Sequence, residues 1–112
     1  MDTTLDMGAS VSMAHGFELA LEGDHRPVVA VIGDSTFAHS GLTSLMNTIY
    51  NKGAGTVCIL DNRTTAMTGQ QGNPFNGVTL QNRPSRELNL PAILEALGVD
   101  HVQCVDAFNM KA

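Results

Sequence analysis

Apolar residues along this chain come in two kinds of run, one spaced at a helical period and one short and unbroken, and the two take turns. Residues 9–21 (ASVSMAHGFELAL) are apolar nearly all round, which predicts a buried helix ended by Gly23. Pro27 then precedes Val28-Val29-Ala30-Val31-Ile32, bounded by turn residues. Such a run predicts a parallel strand covered on both faces. From about 41 to 52, Leu42, Leu45, Met46, Ile49 and Tyr50 fall at i, i+3, i+4, i+7 and i+8. That is the stripe of an amphipathic helix, closed by Lys52 and Gly53. Thr56-Val57-Cys58-Ile59-Leu60 predicts a second buried strand. A polar, glycine-rich stretch follows from Asp61 to about Arg86, and loops of that length are usually functional. Asn89 and Pro91 open a third helix, with Ile93, Leu94 and Leu97 inward and Gly98 as its stop. His101-Val102-Gln103-Cys104-Val105 predicts a third strand.

Helix and strand therefore alternate, which predicts an α/β fold of three layers, a mostly parallel sheet with helices on both faces. Three strands are few for such a sheet, and the first element is already a helix. Residues 1–112 are thus expected to form a single, partial domain of a larger unit. The length of 112 residues allows one modest core, and no repeat or low-complexity tract divides it.

Charge narrows the partners. Eleven Asp and Glu stand against six Lys and Arg, for a net charge of −5, and no basic run occurs. Generic binding to nucleic acid or to anionic membranes is excluded on that ground. No stretch reaches 18 uninterrupted apolar residues, and the acidic start MDTTLDMGAS lacks the pattern of a signal peptide. Cys58 and Cys104 lie far apart inside apolar runs, without iron–sulfur or zinc spacing. They are expected to be buried thiols of a reducing cytoplasm.

Ligands of open parallel sheets bind beyond the carboxyl ends of the strands. Two polar clusters fall there. Gly33-Asp34-Ser35-Thr36 follows the first strand, and Asp61-Asn62-Arg63-Thr64-Thr65 the second. Consecutive strands usually neighbour, so the clusters should face each other. Asp34 and Asn62 are hard oxygen donors, and the Thr64 carbonyl could be a third, as magnesium prefers. The following helix would offer free N–H groups to a phosphate, Gly33 would let the backbone approach, and Ser35 and Thr36 could donate. A magnesium diphosphate would satisfy all of these, with the metal supplying the positive charge that an acidic chain lacks.

Gly33-Asp34-Ser35, then 25 residues, then Asp61-Asn62, resembles the thiamine-diphosphate motif that begins GDG and closes with two asparagines. The stretches DTTLDMGAS, GDSTFAHSGLTSLMNTIYN and LDNRTTAMTGQQ look like the alpha subunit of the indolepyruvate ferredoxin oxidoreductase family, within the 2-oxoacid:ferredoxin oxidoreductases. The resemblance covers residues 2–72, and beyond them only the helix–strand pattern. It implies a thiamine-diphosphate-binding fold. It also implies that Asp34 and Asn62 bind magnesium through their side chains and Thr64 through its carbonyl. Gly33, Ser35 and Thr36 would line the diphosphate, and Met7 and Gly8 would approach the aminopyrimidine. Ser35 replaces the motif's third glycine and Asp61 its first asparagine, substitutions that look normal for this family.

The activity implied is oxidative decarboxylation of an aryl 2-oxoacid, such as indolepyruvate, to an acyl-coenzyme A with ferredoxin as acceptor. The partners implied are the remaining domains of the parent subunit, a second subunit, ferredoxin, the 2-oxoacid and coenzyme A, in an oligomer. The family's activating glutamate, its iron–sulfur cysteines and its segment before DTTLDMGAS have no counterpart here, so the iron–sulfur clusters belong to the parent enzyme. The chain alone is expected to bind part of the cofactor and to catalyse nothing.

Blander roles compete for the same residues. Asp34 could merely cap a helix, and Asn62 could be a turn residue. His39 could touch substrate or cofactor, or simply be solvated. His15 is expected to be a packing residue with its polar atoms satisfied, and His25 and His101 to lie at the surface or a strand edge. Met67 could pack a lid or meet a ligand. Arg63, Arg83 and Arg86 could assist an anionic substrate or solvate the loop. Two other functions also start from Gly-Asp-Ser after a strand. A GDSL-type esterase would use Ser35 as nucleophile, but no Asp has His three residues later. A non-enzymatic phosphate-binding module would need no metal.

Overall fold

A computed structural model describes residues 3–21, 23 and 26–109. Helix α1 (Ser10–Ala20) leads to strand β1 (Val29–Gly33). A helical run then begins at once, as a first turn α2 (Asp34–Thr36), a π turn over Phe37–Gly41, and α3 (Leu42–Tyr50). Strand β2 (Thr56–Leu60) and helix α4 (Leu90–Ala96) complete the elements. β1 and β2 pair in parallel, from Val29 opposite Thr56 to Gly33 opposite Leu60. This is the α/β class with a parallel sheet, and β2 has the predicted bounds.

Local chemistry explains the ends of these elements. Asn89 precedes α4 in extended conformation, and its side-chain oxygen accepts from Ala92 N at 3.0 Å. Pro91 sits in the first turn, where no N–H is needed, and Gly98 takes φ +88° just past the end. The helix after β1 starts seven residues earlier than the apolar stripe suggested, because Asp34 opens it directly from the strand.

The core lies on one face of the sheet. Val11 and Ala14 of α1, Ala30 and Ile32 of β1, Phe37 of the π turn and Leu45 of α3 are buried together. Leu42, Ile49, Val57 and Ile59 pack half-buried against them, as do Leu90, Leu94 and Leu97 from α4. The other face carries Val29 and Val31 (56% and 53% exposed), with Thr56, Cys58 and Leu60 exposed beside them. Strand residues alternate in direction, so β1 shows one covered and one open side.

Several expectations are corrected by this. Helices cover one face of β1 among the described residues, not both. The segment His101–Val105 forms no ladder, because it lies alongside neither open edge of the two-stranded sheet as a paired strand. α1 buries one face, Val11, Ala14 and His15, and leaves Phe17 and Leu19 in solvent. Cys58 and Cys104 are exposed free thiols, the first because it points from the open face. The radius of gyration, 15.1 Å, exceeds the roughly 13 Å of a packed domain near this length, in keeping with a one-sided core.

Candidate functional site

Parallel pairing settles where the two polar clusters lie. With Gly33 opposite Leu60, the residues that follow, Asp34 on one strand and Asp61-Asn62 on the other, leave the same edge of the sheet. Asp34 is 2% exposed and starts the helical run. Among the described residues it makes no ion pair. Its carboxylate accepts a hydrogen bond from the Asn73 amide, Nδ2 donating to Oδ2 at 3.0 Å. A buried carboxylate without a basic neighbour is costly, and a cation bound against it would offset that cost. The donor chemistry therefore fits a hard divalent ion.

The surrounding residues fit a diphosphate. A Cβ built on Gly33 would meet nothing within 4 Å, so packing does not require glycine there and the space before the helix stays open. Ser35 Oγ and Thr65 Oγ1 lie 2.7 Å apart and tie the first cluster to the second. Thr36 is buried, and its carbonyl accepts from Ser40 Oγ at 3.1 Å. Gly8 has φ +107°, and a side chain there would collide with Ser40 Oγ and come within 3.6 Å of Thr36 Cγ2. The segment before α1 is thus brought to this corner, with Met7 exposed beside it. His39, within the π turn, is exposed.

The second cluster is more open. Asn62 is exposed, and its Oδ1 accepts from Thr64 N at 3.1 Å. That Asx turn fixes the Thr64 backbone and leaves the oxygen a second lone pair. Thr64 Oγ1 donates to the Gln71 carbonyl at 3.2 Å. Arg63, at φ +59°, braces the loop. Its Nε meets Asp61 Oδ2 at 3.2 Å, and its Nη1 donates to the Phe75 carbonyl at 3.2 Å and to Glu87. The hydrogen bond with Glu87 and the charge of Asp61 raise its pKa above the ordinary arginine value. Its guanidinium is committed to the loop.

Three participants were not legible as site residues: Asn73, Ser40 and Phe75. Phe75 is 2% exposed and pins a loop that is otherwise closed by bridges Thr65–Gln71 and Val78–Pro84. One aromatic residue directly after Asn-Pro in a polar stretch was the available signal. Met67 is exposed. His15 is buried as expected, but its Nδ1 has no hydrogen-bond partner and lies 3.5 Å from Glu18 Oε2. His101 is exposed as expected, and His25 lies outside the described residues. The hydroxyl that meets Ser35 belongs to a threonine, where a serine nucleophile would need an imidazole.

Cavity size does not find this site. A hollow of about 430 Å³ lies at the opposite edge, between His15, Glu18, Arg26 and the Asn51–Thr56 turn. Among the described residues, no three His, Cys, Asp or Glu side chains gather as a metal cluster, and no helix is long and apolar enough to cross a membrane.

An open sheet edge with a buried carboxylate and a helix start defines a class, and comparison with known proteins names it. Residues 2–111 match the family described as thiamine pyrophosphate enzyme, C-terminal TPP binding domain, and the chain belongs to that family. Among its relatives are the indolepyruvate oxidoreductase subunits IorA of Thermococcus kodakarensis, 41% identical over all of this chain, and of Pyrococcus horikoshii, 39% identical over 99% of it. The Methanothermobacter thermautotrophicus subunit is 39% identical over 98%. The chain spans 19% of the length of the first two relatives and 17% of the third. No solved structure gives a significant match.

Proposed function

We propose that this chain supplies the magnesium and diphosphate half of a thiamine-diphosphate site in an oxidoreductase acting on aryl 2-oxoacids such as indolepyruvate. The observation that carries this reading is the buried Asp34 carboxylate, without a basic partner among the described residues, at the edge where both polar clusters emerge. Asp34 and Asn62 side chains and the Thr64 carbonyl would hold the ion. Gly33, Ser35 and Thr36 would receive the diphosphate at the start of the helix, where N–H groups are unpaired. Met7 and Gly8 would border the aminopyrimidine. When bound, the cofactor supplies the decarboxylation chemistry. The residues of this chain bind and orient it, and none is assigned as catalytic; His39, exposed at the π turn, has no observed contact that gives it a role.

The whole enzyme would pass electrons to ferredoxin through iron–sulfur clusters outside this chain and form an acyl-coenzyme A, in a cytoplasmic assembly with a second subunit. The match to IorA subunits over nearly the full chain supports that setting. Titration calorimetry of the full-length protein with thiamine diphosphate, in magnesium and then in chelator, tests the site. Binding that needs magnesium and disappears in Asp34→Ala is the expected result. Equal binding with chelator present would overturn it.

A further inference from the structure

Asn73 uses both ends of its side-chain amide, one on the first cluster and the other on the backbone of its own loop. Its Nδ2 donates to Asp34 Oδ2 at 3.0 Å across 39 positions of sequence, while its Oδ1 accepts from Phe75 N at 3.0 Å. Asn73 and Asp34 are both buried, so this donor faces no competition from bulk water. Phe75 in turn accepts from Arg63 through its carbonyl, and Arg63 holds Asp61, the neighbour of Asn62. A continuous set of bonds therefore runs from the buried carboxylate of the first cluster to the second cluster, and Asn73 is its first link.

We infer that Asn73 is a positioning residue for the cation: it fixes the plane of the Asp34 carboxylate and makes docking of the 61–86 loop and binding of the ion mutually dependent. This rests on the magnesium diphosphate reading given above. A carboxylate has about four lone-pair sites, so accepting from Asn73 leaves room for an ion. Held in one orientation, the carboxylate meets the ion without first being ordered. Removing a partner of this kind costs about 10–100-fold in metal affinity. Linkage makes the effect reciprocal, so the ion must also steady the loop that carries Asn73.

The test uses the full-length protein and Asn73→Ser, whose short hydroxyl can keep the local turn to residue 75 but cannot reach Asp34. Thiamine diphosphate binding is titrated against magnesium, and hydrogen exchange of residues 72–88 is followed with and without both ligands. For the wild type, exchange at these positions should slow when both are bound. In the variant the magnesium requirement should rise about tenfold or more and the slowing should shrink, while the melting temperature in the absence of ligand falls because the buried carboxylate loses a donor. An unchanged magnesium requirement in a folded variant would overturn the inference while leaving the site itself intact. Should the variant not fold, the wild type decides alone, since exchange at 72–88 that ignores bound magnesium and cofactor also overturns it. Failure of the wild type to bind thiamine diphosphate with magnesium would instead remove the functional reading, and the inference with it.

Discussion

At the carboxyl edge of the sheet a Cβ on Gly33 would meet nothing within 4 Å, whereas at the amino edge one on Gly53 would lie 2.7 Å from His15 Nδ1 and 2.5 Å from Thr48 Cγ2. Gly55, beside it, is equally tight against Glu18 Oε1, at 2.5 Å. The amino edge uses glycine because helix α1 and the turn before β2 pack too closely for a side chain. At Gly33 no contact among the described residues demands it. A hollow of about 430 Å³ nonetheless lies at the amino edge. Room left without a packing reason, next to a buried charge without a basic partner among the described residues, is what the proposed cation site rests on, and volume does not point to it.

Substitutions at the two edges should behave in opposite ways, and the full-length protein can show it. Asp34→Ala has the largest effect expected, loss of magnesium-dependent thiamine diphosphate binding by calorimetry with the circular dichroism spectrum retained. Gly53→Val should destabilise by about 1–3 kcal/mol through overpacking, read as a lower melting temperature, and leave cofactor affinity of the folded molecules unchanged. Gly33→Ala reverses that pattern. Its φ of −77° suits alanine, so stability should hold or rise by up to about 1 kcal/mol, while cofactor affinity falls about tenfold as the methyl enters the open space. Asn89→Ala should cost about 1 kcal/mol through the lost cap and affect neither edge. Unaltered binding in Gly33→Ala, or weakened binding in Gly53→Val, would break the distinction between the two edges.

What the sequence displayed was local. The β2 run, the Asn89 cap with Pro91 and the Gly98 stop each depend on residues a few positions apart, and each forms where the pattern put it. The strand expected at His101–Val105 failed because pairing is a property of neighbours, and periodicity cannot supply one. Burial of Val29, Val31 and Cys58 failed for the same kind of reason, since their apolar run gives no sign of which face will be covered. The site divides similarly. Gly-Asp-Ser and Asp-Asn follow their strands in sequence and so announce the edge they occupy. Asn73 precedes a proline in a glycine-rich stretch, where an asparagine ordinarily means a turn, and its second partner lies 39 residues away.

The open face of the sheet has a practical side. Cys58 stands on it between Thr56 and Leu60, opposite Val31 in the parallel register, so its thiol is within reach of an alkylating reagent wherever that face is uncovered. Rate of modification at this one sulfur then reports, by mass spectrometry and without a ligand, how completely the strip is shielded in any longer form of the protein. The same strip, left bare and stored in air, invites intermolecular disulfides and precipitation, so samples of this chain should be handled dilute and reduced.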